Sequence, residues 1–227
     1  MKIKRIVLTL GLLAVLGAGG FAAAKLIGGA AGTEAERPGQ VDFDTIERRQ
    51  ATETAQPRFV GELLGIFIGP TEDTWPKDLQ DEASQRLAGG CVDVPRSEAK
   101  SLDFPRPVAL PKEYSPEELV PARVCSGQVA GLTWGYTVSG VEGIPGHVQI
   151  SRSIGKARTY DVASDRVSVE HFGGREAIFI RPITPDGLAQ IAYVLFPEPF
   201  GVTGVQTFNL SEADTTAVAQ AVAEASK

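Results

Sequence analysis

Only two histidines, His147 and His171, occur in the whole chain, and that scarcity narrows the chemistry on offer. A zinc site takes about three or four protein ligands, and no HxxxH, CxxC or HExxH spacing is present. Glu170 precedes His171, but neighbours on a strand point to opposite faces, so the two do not form an acid/base pair. A GxSxG nucleophile elbow and a P-loop are both missing. The glycines at 140, 143 and 146 read as a turn, without the strand–turn–helix setting of a dinucleotide loop. Asp161 and Asp165 flank a loop, but calcium takes about six to eight oxygens. These absences predict no catalytic residue, no cofactor and no metal site.

Cysteine is as scarce. Cys91 and Cys125 are the only two, and neither lies near the N-terminal apolar run, which excludes a lipidated N-terminal cysteine. Their spacing fits no metal or redox motif, so a disulfide is favoured over two buried thiols. Closing a loop of this length is worth roughly 3–4 kcal/mol on the chain-entropy model. An excess of positive charge is also lacking. Lysine and arginine number 22 against 28 acids, for a net charge of −6, and setting aside Lys2, Lys4 and Arg5 makes the remainder more acidic. That balance argues against nucleic acid and against polybasic attraction to anionic lipid.

One long apolar run is present, in MKIKRIVLTLGLLAVLGAGGFAAAK. Ile6 to Ala24 carry no charge, and a helix of that length spans roughly 28 Å, close to a bilayer core. The basic flank stays cytoplasmic, which places everything after Lys25 outside. The run reads either as a retained transmembrane signal-anchor or as a signal peptide, with Ala22, Ala23 and Ala24 near a small-residue cleavage site. The expected organisation is a leader over 1–32, a polar acidic tether over 33–56, and an extracytoplasmic domain over 57–227. The tether holds six acids and three arginines, with room for one short helix.

Phe59 to Ile68 is too short to span a bilayer and reads as a buried strand, with a core helix as the alternative. Pro76 to Leu87 reads as a helix stopped by Gly89-Gly90. Ser97 to Leu102 has room for one capped helical turn. The proline-rich stretch between Pro95 and Pro121 predicts an extended wrap over the domain surface. Period-2 strands follow: Leu132, Trp134, Tyr136 and Val138 share one face, and HVQISRSIG follows with Val148, Ile150 and Ile154. RVSVEHF and REAIFIRPI flank Gly173-Gly174, a hairpin signal. AQIAYVLFPEP and GVTGVQTFN complete the run. Ser211 caps a final helix with a stripe of Ala217, Val218, Ala221, Val222 and Ala225. Asn209-Leu210-Ser211 also matches a glycosylation sequon, which the capping role of Ser211 explains better. The fold class is therefore α+β: a curved antiparallel sheet with a packed C-terminal helix, preceded by the transmembrane or signal helix.

Glu98-Ala99, LDFPRPVALPKEY (Leu102 to Tyr114), the strand Leu132 to Val138, GREAIFI (Gly174 to Ile180), and the closing strand with Ser211-Glu212 and an alanine-rich helix together carry a resemblance. From Val94 to the end, the chain resembles a bacterial exported domain-of-unknown-function family found behind a membrane helix in anti-sigma-factor-like proteins. The resemblance implies a half-barrel, related in shape to periplasmic lipoprotein-carrier and sigma-regulator domains that bind lipid or protein partners. This sequence departs from it in having only five residues before the apolar run, so a cytoplasmic sigma-binding domain is not expected.

Trp134, Tyr136, Phe179, Tyr193 and Phe196 either line a ligand cleft on the concave side of the sheet or form its core beneath the helix. The functional expectation is a non-enzymatic, membrane-tethered extracytoplasmic binding or accessory domain with a membrane or extracytoplasmic protein partner. The alternative is a carrier of a small apolar ligand or lipid. Cleavage of the leader would make it an exported soluble protein.

Overall fold

The structure is a computed structural model that describes residues 48–49, 51–53, 55–94, 110, 114–116, 122–125, 128–140, 144–183, 190–199 and 201–225. All of them belong to one compact unit within Arg37–Lys227. The leader, most of the tether and the Ser97 to Leu102 turn lie outside the described residues. Among the described residues, no helix is long and apolar enough to cross a membrane.

The fold is α+β, dominated by strands in curved, open sheets. The larger sheet has nine strands in the order β3-β5-β6-β7-β12-β11-β10-β9, with β4 also pairing β6. Its long members are β6 (Gln128–Val138), β7 (Gly146–Ile154), β9 (Val167–Phe172), β10 (Arg175–Ile180), β11 (Ile191–Glu198) and β12 (Gly201–Phe208). The short ones are β3 (Cys91–Val94), β4 (Ser115–Pro116) and β5 (Ala122–Cys125), and every pairing in this sheet is antiparallel. A smaller sheet joins β1 (Gly61–Leu63), β2 (Ile66–Gly69) and β8 (Ala157–Thr159), with β2 and β8 parallel.

Two cores lie on the two faces of the large sheet. On one face, Val148, Ile150, Phe179, Val194, Phe196 and Val205 pack with Val218 and Val222 of the C-terminal helix, Glu212–Ala225. On the other, Ile178, Ile180, Leu195 and Val202 pack with Ile66, Ile68 and Val162. Alternation along β10 sends Phe179 to the helix side and Ile178 and Ile180 to the small-sheet side. Covering both faces explains why AIFI in β10 reads as a continuous apolar run.

The hairpin between β9 and β10 turns at Gly173 and Gly174, whose φ angles of 54° and 82° suit a two-residue turn that glycine enters without a Cβ penalty. Phe59 to Ile68, expected as one strand, is instead a hairpin. Leu64 (φ 51°) and Gly65 (φ 73°) form its turn, and Ile66 and Ile68 are buried on β2. Leucine in a left-handed conformation is not a turn signal, which is why the sequence hides it.

The expected first helix is observed over Lys77–Ala88. The C-terminal helix starts at the expected cap, where Ser211 Oγ accepts from the Asp214 N–H at 3.1 Å and donates to its carboxylate at 2.6 Å. Its buried stripe is Thr215, Val218, Ala219, Val222 and Ala223, rotated from the expected one; Ala217 and Ala225 face solvent. Thr215 sets the rotation, since its hydroxyl meets that of Thr207 on β12 at 2.8 Å inside the core.

Most of the proline-rich stretch, expected as a surface wrap, lies outside the described residues. Leu110 is buried in the helix-side core, Tyr114 packs against it, and β4 pairs with the far end of β6.

Candidate functional site

The five singled-out aromatics do not gather in one place. Phe179 and Phe196 are both 0% exposed in the helix-side core. Tyr136 packs against that core, and Trp134 shares its face by alternation along β6, standing opposite Ile150. Tyr193 points to the other face, where its ring lies 4.5 Å from that of Tyr160. The missing centre is Phe172, which meets Phe179 and Phe196 edge-on at 5.9 and 6.1 Å. Its position at the end of VSVEHF, one residue before the hairpin glycines, gave no signal of that central role.

Charged groups close this core at two ends. Arg181 lies 5.1 Å from the Phe179 ring centroid, pairs with Glu170, bonds Glu212 at 3.3 Å and donates to the Ser168 hydroxyl at 2.7 Å. It thereby ties the first turn of the C-terminal helix to β9 and β10. Arg175 lies 5.1 Å from the Phe196 ring centroid, bonds Glu198 at 3.1 Å and donates to the Pro197 carbonyl at 3.3 Å. Thr203 donates to the same Glu198 carboxylate at 2.9 Å. Arg152 is buried beside this group, and burial lowers its pKa, opposed by Glu198 and assisted by Arg175. An arginine over each aromatic combines a cation–π contact with a paired charge, so both ends are clamps rather than exposed reactive groups.

The histidines are held apart. The His147 ring on β7 lies tilted beside that of Phe208, 6.3 Å between centroids, and His171 is on β9, four strands away in the sheet order. Glu170 faces Arg181, while His171 lies 3.7 Å from Glu176 with 71% of its side chain exposed. Asp161 is committed to Arg58 at 2.7 Å. Among the described residues, no group of three or more His, Cys, Asp or Glu is placed to hold a metal ion. The sequon asparagine, Asn209, is 1% exposed and donates its amide to the Ile144 carbonyl at 2.8 Å. Gly140 lies beside it, and a Cβ there would sit 2.0 Å from the Ile144 carbonyl, so no larger residue fits that crossing.

Among the described residues, two clefts lie away from the helix-side core. One, of about 210 Å³, is lined by Arg49, Glu53, Gln56, Asp165, Arg166 and Ile183. The other, about 50 Å³, lies between Trp75, Leu79 and Arg86 and the Gly155–Ala157 stretch. Both are smaller than the roughly 300 Å³ at which small-molecule pockets begin. Cys91 and Cys125 stand opposite each other on β3 and β5 and are bonded, with Cα atoms 4.1 Å apart.

The adjoining tyrosines Tyr160 and Tyr193 give a pH expectation. Burial raises the Tyr160 hydroxyl above its ordinary range, Tyr193 adds to the rise, and Arg158 opposes it. Burial likewise raises Tyr193 against the pull of Arg166. Above about pH 10 the unfolded chain loses these protons first, so it binds fewer than the native state and stability falls with rising pH. The contribution is fully present below that pH. Tyr160→Phe should therefore flatten the alkaline limb of a stability–pH profile measured by urea unfolding between pH 8 and 11. An unchanged limb would show that the pair does not titrate with unfolding.

No protein-family model matches the chain, no curated protein is similar to it, and no solved structure matches its fold.

Proposed function

We propose that this chain is an extracytoplasmic binding or accessory domain without catalytic activity, tethered to the membrane by its leader and engaging a protein partner. The observation that carries this reading is the filled helix-side interface. Phe179, Phe196, Val218 and Val222 are each at most 1% exposed, so the sheet offers its surface and edges where a carrier would offer a cavity. The Cys91–Cys125 bond supports export, because such bonds persist outside the cytoplasm. The residue pattern shared with exported domains behind a membrane helix points the same way.

The open sheet supports a mode of engagement. Its terminal strands are β3 and β9, and among the described residues neither is paired on its outer side. Val92 on β3 is 62% exposed and Val169 on β9 is 39% exposed. A partner segment adding a strand to such an edge gains main-chain hydrogen bonds and an apolar contact.

Crosslinked capture of the full chain from solubilised membranes tests the reading, with Val169→Lys as the comparison. A reproducible partner that the variant loses, at unchanged thermal stability, is the expected result. Absence of any reproducible partner overturns the reading, and an apolar ligand carried through native mass spectrometry favours the carrier instead. Intact mass of the membrane and soluble fractions reports the leader: full-length chain confined to membranes supports the anchor, and a soluble product beginning near Lys25 removes it.

A further inference from the structure

The tether does not simply end where the domain begins. Arg48, Arg49 and 51–53 are helical, and Glu53 at the end of that turn reaches into the domain. Its Oε1 accepts from Arg166 Nη1 at 2.6 Å and from the Ala163 N–H at 3.3 Å. Arg58 Nη1 lies 3.6 Å from the same oxygen and donates to the Glu53 carbonyl at 3.1 Å, while Arg58 Nε bonds Asp161 at 2.7 Å. The Glu53 and Arg166 side chains are only 13% and 14% exposed. In the amide orientation that satisfies its neighbours, Gln56 donates to the Asp165 carboxylate at 2.9 Å. Ser164 then holds the Pro57 carbonyl through both its N–H and its hydroxyl, each at 3.0 Å.

The two sides of this contact differ. Arg166 precedes β9 and is fixed independently: its Nε donates to the Arg181 carbonyl at 2.6 Å, and its own carbonyl accepts from the Arg181 N–H at 2.9 Å. The socket is therefore built whether or not Glu53 occupies it. On the other side, the helical residues 51–53 meet this socket through the Glu53 carboxylate, so their seating on the domain depends on the charge it delivers.

We propose that Glu53 is an ionic latch that seats the end of the tether on the domain. Latched, residues 51–53 are seated on the domain. Released, the nine residues from Arg48 to Gln56 become a free segment whose own root-mean-square span is roughly 15–18 Å. The inference rests on the tether reading above, but its test does not need a partner to exist.

Hydrogen exchange on the full chain in detergent, comparing wild type with Glu53→Gln, reads the latch directly. Amides of residues 51–56 should exchange about tenfold faster in the variant, the loss expected for one charge-assisted bond to a partly buried group, with β11 and β12 unchanged. Equal exchange in both proteins overturns the latch. Faster exchange in tether and core together also overturns it, because Glu53 would then be part of the cooperative fold. If that variant does not fold, Glu53→Asp, which keeps the charge but shortens the arm that reaches Arg166, makes the same comparison; tether amides that ignore the shortening count against the latch. A chain that captures no partner but shows the selective exchange loses the function proposed above and keeps the latch.

Discussion

Phe179→Ala should destabilise the domain by about 3–5 kcal/mol, the cost of deleting a fully buried phenyl ring from a core that cannot collapse. The backbone at Phe179 is held on both sides, opposite Ser168 on β9 and Val194 on β10's other neighbour, β11. Phe172 stands edge-on to the ring, and Arg181 lies over its face. Truncation therefore leaves a cavity beneath the C-terminal helix and removes the aromatic surface beneath a paired guanidinium. Against a total stability of about 5–15 kcal/mol, that is a large fraction. Urea unfolding should show a lower midpoint with an unchanged slope. Phe179→Leu, which keeps most of the volume, should cost roughly half as much. A loss below about 1 kcal/mol would mean that the ring is not core, and would revive the reading in which these aromatics line a ligand cleft.

Much of this architecture was legible because it rests on strong local signals. The apolar residues of β6 and β7 follow period-2 alternation, Gly173-Gly174 marks its hairpin, and Ser211 marks the final helix. What the sequence concealed depends on register and on unusual backbone. Leu64 gave no warning that it would enter a left-handed turn. The helix stripe was misplaced because alanines fill both candidate faces, and only the buried Thr207–Thr215 contact chooses between them. The aromatic set was legible in part: Tyr193 and Phe196 are an odd number of residues apart on one strand, so they cannot share a face. Whether Phe179 joins Phe196 depends on pairing between strands, which no single strand encodes. Glu53 looked like one more acid in a solvated tether, since nothing local announces a socket assembled from Arg58, Ala163 and Arg166.

The second large effect belongs to the disulfide. Cys91→Ala with Cys125→Ala should lower stability by about 3–4 kcal/mol while leaving the circular dichroism of the folded state nearly unchanged. The reason lies mostly in the unfolded chain, where the bond closes the loop between residues separated by 34 positions. In the folded state β3 is held besides by its antiparallel pairing with β5. It is a four-residue edge strand, and its Asp93–Arg123 pair is long, at 3.7 Å, and mostly exposed, so that pair adds at most about 1 kcal/mol. The closed loop also contains Leu110 and Tyr114, which pack on the helix-side core, so losing the bond frees the chain that carries those contacts. Cys125 is 1% exposed, and reductant alone should act slowly on the native protein and quickly once urea opens the sheet edge. Equilibrium unfolding of the two proteins, with thiol titration of the wild type from the exported fraction, checks both halves of the argument. A stability loss below about 1 kcal/mol would show that the loop is already restrained in the unfolded chain, and free thiols in exported protein would remove the strongest support for an extracytoplasmic home.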